Sequence, residues 1–312
     1  MASAAIIAAT APDILLLTEF DHDHDRVALQ AFADILLGQG LDYPHLLALP
    51  SNAGLNTGLD MDGNGRLGEP RDAMGYGRFA GDGALAILSR FPIDEAAMRD
   101  FTSLLWRDLP GAVLPSINGA PFPSTEVQAI QRLSTSGHWV VPILTGPGAS
   151  LSLLVWSATP PVFDGAEDTN GLRNRDELRL WQHLLDGTLG PAPQSFTIMG
   201  NANLDPADGD GLRDSMGAFL RDMRFTDTAP SSSGGALAAD PDQVGDPALD
   251  TADWPDNRPG NLRVTYVLPS RDWTVTGSGV FWPAPDEPQT ALLGLDGLAA
   301  GPHRLVWVDI MR

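Results

Sequence analysis

Apolar residues recur along the chain in two rhythms, and each predicts a different kind of element. Short unbroken apolar runs bounded by turn residues predict buried strands at Asp13-Ile-Leu-Leu-Leu-Thr, ending at Glu19, and at Ala84 to Leu88, Trp139 to Ile143 and Leu151 to Ser157. Further runs predict strands at Phe196 to Met199, Leu262 to Leu268 and Arg304 to Ile310. Apolar spacing of three and four predicts a helix over Val27 to Leu37 and an amphipathic one over Asn174 to Leu185. The small residues Ala2 to Ala9 are helix-compatible until Pro12 breaks them.

Between these elements lie two long stretches without period. Residues 51–83 are rich in Gly, Asp and Asn, and residues 231–259 in Ser, Gly, Asp and Pro. The second is too short to link to a further domain, and no internal repeat is visible. The 312 residues are therefore expected to form one domain, 1–312, with long loops at 51–83 and 231–259. Its 33 glycines and 26 prolines, nearly a fifth of the chain, sit mostly in such loops.

The hydrophobic fraction of 43% against 19% charged residues suits a packed globular protein. Forty acidic and 19 basic residues give a formal net charge of −21, a field that repels phosphate backbones, so nucleic acid is not an expected partner. Acidity of this kind keeps a protein soluble in a salty or calcium-containing medium. No cysteine is present, which excludes disulfides, thiolate catalysis and cysteine metal sites. No apolar stretch is long enough to span a bilayer, and Met1 to Thr10 lacks a basic segment, so neither membrane insertion nor an export signal is expected from this chain.

The sharpest local motif is Asp60-Met-Asp62-Gly-Asn64-Gly65-Arg66-Leu-Gly-Glu69-Pro-Arg-Asp72. Oxygen ligands at alternate positions (Asp60, Asp62, Asn64, then the Arg66 carbonyl) and a glycine at the sixth describe an EF-hand-like calcium loop. Position twelve is Arg71, so the closing carboxylate falls to Asp72 or Glu69. By contrast, Asp21-His22-Asp23-His24-Asp25 puts its histidines on one face and its aspartates on the other when extended, and reads as a solvated loop. Asp205, Asp208 and Asp210 read as a turn, and Trp156, Trp282 and Trp307 as core. Arg173, Arg175 and Arg179, interleaved with Asp176 and Glu177, read as a solvated helix face.

Six segments taken in order resemble the endonuclease/exonuclease/phosphatase family: Pro12-Asp-Ile-Leu-Leu-Leu-Thr-Glu19, Ala86-Ile-Leu-Ser-Arg-Phe-Pro-Ile93, Thr159-Pro-Pro-Val-Phe-Asp-Gly165, Gly200-Asn-Ala-Asn203-Leu-Asp205, Asn261-Leu-Arg-Val-Thr265-Tyr-Val-Leu-Pro-Ser270 and His303-Arg-Leu-Val-Trp-Val-Asp309. The resemblance implies an α/β fold of two packed, mainly antiparallel β-sheets flanked by helices, a four-layer sandwich. It also implies a divalent cation, Mg2+ or Mn2+, bound where Glu19 stands, with Asn203 and His303 retained beside it. Against the family's pattern, a histidine is replaced by Ser157, the aspartate of the Gly-Asp-x-Asn motif by Asn201, another aspartate by Thr265, and the aspartate of the terminal Asp-His pair by Pro302. An amide is no general base at neutral pH. The family's first strand, which ends in a metal-site asparagine, has no counterpart in this chain, which is expected to start at the helix that follows it. The strands at Asp13 and Arg304 must then close on each other or stay open to a strand from another chain.

Two functions from different classes follow. One is a non-catalytic descendant of the family, calcium-stabilised, that binds a protein partner, by strand addition among other ways. The other is a divalent-metal-dependent phosphoesterase with an altered site, acting on a small phosphate ester. Calcium's abundance outside cells, and the export of many members of the resembled family, point to a periplasmic or extracellular location, with any leader removed.

Overall fold

The computed structural model describes residues 2–256 and 259–312; Asn257 and Arg258 of the second long loop lie outside the described residues. The chain opens with helix α1 (Ala2–Thr10), strand β1 (Ile14–Phe20), helix α2 (Val27–Leu37) and strand β2 (His45–Ala48). Across the first long loop follow β3 (Ala84–Ser89), β4 (Arg99–Asp100), the hairpin β5 (Ser116–Ile117) and β6 (Ala120–Pro121), and helix α3 (Thr125–Ile130). Next come β7 (His138–Gly146), β8 (Ala149–Ser157), helix α4 (Thr169–Leu185), β9 (Phe196–Asn201) and helices α5 (Arg213–Phe219) and α6 (Ser233–Leu237). The chain ends with β10 (Thr265–Pro269), β11 (Thr274–Val280) and β12 (Val306–Met311).

One sheet has five strands in the order β10-β9-β8-β7-β4, with only β8 and β9 parallel. Facing it are the antiparallel sheet β1-β3-β2 and the pair β11-β12. Leu85 and Ile87 from one side and Trp139, Val141, Leu153 and Val155 from the other fill the space between the sheets. On the outer face of the five-stranded sheet, Leu178, Trp181 and Leu184 of α4 pack on Val140, Leu154 and Trp156. Helices α1 and α2 cover the outer face of β1 and β3, with Ala4, Ile7, Leu29 and Leu36 against Leu15, Ala86 and Leu88. The result is the expected α/β arrangement of two packed, mainly antiparallel sheets flanked by helices.

Several boundaries differ from the sequence reading, each for a physical reason. Strand β10 starts at Thr265 instead of Leu262, and β12 at Val306 instead of Arg304, because the segment 251–252 intercepts the backbone between. The Leu262 carbonyl accepts from Thr251 and Ala252, and the Arg304 N–H donates to Thr251. Helix α4 starts at Thr169, not Asn174: its polar first turn carries no apolar period, yet the Asp164 carboxylate accepts from the Asn170 N–H at 2.5 Å. The second long loop is not featureless, since it contains α6, where the Ser232 hydroxyl accepts from Gly235 N–H. Trp156 and Trp282 are buried as expected, while Trp307 is only half-buried and lies flat over β11, where a Cβ on Gly279 would meet its ring at 2.9 Å.

The largest correction concerns the polar face of α4. Arg173, Asn174, Asp176 and Glu177 are buried, not solvated. The Arg173 guanidinium donates to the carbonyls of Met74, Arg132, Leu133 and Ser134. Asp176 accepts from the Trp106 indole at 2.8 Å and from Val113 N–H at 3.0 Å, and Arg175 and Arg179 both pair with it. Beneath this face His138 contacts the Ser134 hydroxyl at 2.7 Å and the Glu177 carbonyl at 3.2 Å. Burial pushes His138 down to about 3.

A histidine whose folded value lies below its ordinary one stabilises the protein above about pH 6.5, and that contribution drains away as pH falls towards 3. The expected slope is up to about 1.4 kcal/mol per pH unit. Urea unfolding of the wild type and His138→Leu at intervals from pH 7.5 to 4 checks this: the stability gap between them must shrink as pH falls, and a constant gap excludes His138 as the titrating group.

Candidate functional site

The positions singled out in the sequence come together at one end of the five-stranded sheet. In the β8–β9 pairing Ser157 lies opposite Asn201, and in the β9–β10 pairing Asn201 lies opposite Thr265. Residues directly opposite share a face, so the three form a row. Asn201 is buried at its centre. Its Oδ1 accepts from the Asn203 N–H at 3.1 Å, while its Nδ2 is buried with no partner among the described residues. Asn203, with a left-handed φ of 49°, donates through Nδ2 to the Ala158 carbonyl at 2.8 Å.

Glu19 and His303 reach this region from the other layer. Glu19 has φ 57° and sits at a register shift between Thr18 and Phe20, a bulge that turns its carboxylate out of the β1–β3 ladder into solvent. His303 precedes β12 and bridges to Ala252. The Trp254 ring stands edge-on to it, with centroids 5.1 Å apart. Burial pushes His303 down, opposed by the negative charge of Glu19, which places the two within electrostatic reach. Its Nδ1 is buried without a partner among the described residues, and Pro302, where a carboxylate would support it, offers none. Thr251 fixes the neighbourhood, its hydroxyl accepting from Val264 and Thr265 N–H at 2.9 Å.

As a cation site this end of the sheet does not fit. A hard divalent ion needs several oxygen ligands with negative charge. Among the six matched residues Glu19 is the one carboxylate, accompanied by the amides of Asn201 and Asn203, the hydroxyls of Ser157 and Thr265 and the His303 imidazole. No step is therefore derived through Mg2+ or Mn2+ here.

Carboxylates do converge in the first long loop, where ligand oxygens of Asp60, Asp62 and Asp72 lie within 4.8 Å of one another. Asp72 takes the closing place left by Arg71, whose guanidinium sits 4.0 Å from Asp62. Asp72 is buried and accepts from Met61 and Glu69 N–H at 3.0 Å each. For Asp60, burial acts upward but is outweighed by the Gly65, Gly63 and Asn64 N–H groups, which hold it low. Burial, with the nearby charges of Asp60 and Asp72, pushes Asp62 up. Asn64 turns its amide nitrogen to Asp62 and Glu69, and its Oδ1 accepts from Arg66 N–H. The donor set fits a hard cation through three aspartates.

The remaining expected residues are structural. Asp23 accepts from Val27 and Ala28 N–H and so caps α2. Asp205 accepts from Ala207, Asp208 and Arg263 N–H, and Asp208 clasps Val244 and Gly245. Sequence reasoning missed the α4 floor of the site. Asn174 Nδ2 donates to the Thr159 and Ala202 carbonyls at 2.7 Å each, joining the ends of β8 and β9, and Glu177 accepts from Thr135 and Thr159 N–H. The signal was the helical spacing of Arg173, Asn174 and Glu177 ahead of the apolar period.

This is a two-sheet α/β sandwich whose strand ends converge on one polar centre. A family model described as "Endonuclease/Exonuclease/phosphatase family" matches residues 3–291, and the chain belongs to that family. The fold is shared with an endonuclease/exonuclease/phosphatase from Beutenbergia cavernae (15% identity, TM-score 0.55, covering 99% of this chain and 64% of that one). It is also shared with a family protein from Leptotrichia buccalis (15% identity, TM-score 0.53, 100% and 92%). A third similar structure is a mannosyl-6-phosphatase from Bacteroides thetaiotaomicron (13% identity, TM-score 0.51, 99% and 89%). No curated protein matches the chain by sequence.

Replacing Asn174 by alanine removes both donors that join β8 to β9 and is expected to cost about 1–3 kcal/mol, the usual penalty for stranding buried polar groups. Denaturant unfolding measures it, and a loss under about 0.5 kcal/mol, the scale of an ordinary surface change, would rule out the joining role.

Proposed function

We propose that this chain is a family member whose inherited catalytic centre is disarmed, and that it works as a calcium-ordered, protein-binding domain. One observation carries the reading: Asn201, at the centre of the Ser157–Asn201–Thr265 row, has an amide where the chemistry needs a carboxylate. The amide still performs the structural half of that role, accepting from Asn203 N–H. With Ser157, Thr265 and Pro302 also lacking charge, Glu19 and His303 are the titratable groups left among the residues matched to the family's centre. Members of the family generally use a divalent metal, and losing one member of a group that acts as a unit removes orders of magnitude in rate. The calcium part rests on the convergence of Asp60, Asp62 and Asp72 in a loop whose Gly63 and Gly65 N–H groups turn towards the Asp60 carboxylate.

Hydrolysis of a nitrophenyl phosphodiester and a nitrophenyl phosphomonoester with magnesium, manganese or calcium should not exceed that of Glu19→Gln. Turnover abolished by that substitution would instead establish the altered phosphoesterase.

Millimolar calcium should raise the melting temperature by about 3–6 °C over chelator, the scale given by saturating a site that only the folded state holds. Asp62→Asn and Asp72→Asn should each remove the rise. Equal melting in calcium and chelator would exclude a calcium loop.

A further inference from the structure

Asparagine followed by glycine occurs three times, at Asn64, Asn118 and Asn170. The pair is reactive because glycine has no Cβ to shield its main-chain nitrogen, which can turn onto the side-chain carbonyl carbon of the asparagine before it. The fold holds two of the three away from that approach. Asn170 and Gly171 lie in the first turn of α4, where the Asn170 N–H donates to Asp164 and its Nδ2 to the Val162 carbonyl at 2.6 Å. Gly171 is buried, and a Cβ there would meet the Asp168 carboxylate at 2.1 Å. Asn118 and Gly119 form the two-residue turn between β5 and β6, both left-handed at φ 52° and 79°, a conformation fixed by the pairs Ser116–Pro121 and Ile117–Ala120.

Asn64 and Gly65 escape both restraints. They are exposed in the first long loop, outside every helix and strand, and a Cβ on Gly65 would meet nothing within 4 Å. The contacts around them favour reaction between the two. Asn64 Oδ1 accepts from the Arg66 N–H at 2.8 Å, which draws charge away from the amide carbon. The Gly65 N–H donates to Asp60 Oδ2 at 2.8 Å, and the carboxylate makes that nitrogen richer in electrons.

We propose that Asn64 is a self-modifying residue that gives the loop a further carboxylate with age. The Gly65 nitrogen loses its proton to water and bonds to Asn64 Cγ. The Cγ–Nδ2 bond breaks, and Nδ2 takes a proton from water and leaves as ammonia. Water then opens the cyclic imide at either carbonyl to aspartate or isoaspartate, so amide plus water becomes acid plus ammonia with no other reactant. The Arg66 N–H sits where the oxyanion of the first step forms. The consequence for the loop rests on the calcium reading above. Nδ2 lies between Asp62 and Glu69 as a donor to both, at 3.0 and 2.7 Å. An aspartate in its place adds negative charge beside them, which destabilises the empty loop and gives the filled one another charged ligand.

The test holds the 312-residue protein in chelator at mildly alkaline pH and maps its peptides by mass spectrometry over weeks. Asn64 should convert at least about tenfold faster than Asn118 or Asn170, which need a local opening first, and should yield both acids. In urea all three should convert at similar rates. Gly65→Ala should slow conversion at 64 at least about tenfold through its added Cβ and leave 118 unchanged. Asn118 or Asn170 leading in the folded protein, or Gly65→Ala converting as fast as the wild type, overturns the proposal. By calorimetry Asn64→Asp should bind calcium at least about tenfold more tightly than wild type, as an added ligand charge gives. Equal or weaker binding overturns the gain for the loop. No calcium binding by either protein refutes the calcium reading alone, because the conversion is read by mass.

Discussion

Buried main-chain groups must find hydrogen-bond partners, and at the polar end of this sandwich helix α4 supplies them. There the loops 74–75, 132–135 and 158–159 leave the sheet without strands to pair with. Arg173 answers four carbonyls, Asn174 two more, and Glu177 two N–H groups. The residue types match what each group lacks, since a guanidinium has five donors and no acceptor, while a carboxylate has only acceptors. Burial is the cost, and it pushes Glu177 up to about 7 despite both N–H donors and the Arg173 charge. The strand ends that carry Asn201 and Thr265 are held by this floor and by the strap around Thr251.

That dependence explains why the fold does not require a carboxylate at position 201. At 201 and 203 the side chains tie backbone to backbone: Asn201 Oδ1 takes the Asn203 N–H and Asn203 Nδ2 reaches the Ala158 carbonyl. An aspartate and an asparagine both present an oxygen for the first of these bonds, so the turn does not distinguish them. Proton transfer does, because the amide has no basic pair at neutral pH. The amide also leaves the buried Nδ2 of Asn201 as a donor that meets no acceptor among the described residues. Asn203 keeps a left-handed backbone while its side chain and N–H are both engaged in these bonds.

The fold was largely legible in the sequence, since unbroken apolar runs such as Ala84–Ser89 and the amphipathic period of Val27–Leu37 are enforced by burial, which composition records directly. So was the position of Glu19, Ser157, Asn201, Asn203, Thr265 and His303, which lie at or beside strand ends. Polar residues with main-chain partners were not legible. Arg173 and Glu177 carry the same letters whether solvated or buried, and only the carbonyls of Met74 and Leu133, about 100 and 40 residues away, decide between them. The strap at 251–252 was hidden for the same reason: its effect on Leu262 and Arg304 is made of main-chain hydrogen bonds, which leave no side-chain signature.

Sheet edges show the same logic from the outside, because an unpaired apolar edge invites a strand and proteins normally blunt it. Strand β4 has two residues, β2 has four and lies between Pro44 and Pro50, β10 ends at Pro269, and β11 is broken by a bulge at Val275/Gly277 and carries glycines and polar residues. Strand β1 has none of these devices until Glu19: four aliphatic residues in succession face an open edge. Its sequence is that of a central strand, matching β3 in character, and burial on both faces is what such a run is built for. Along β1, therefore, residue type and surroundings disagree: Leu16 and Leu17 are only half-buried beside an edge that has no partner among the described residues.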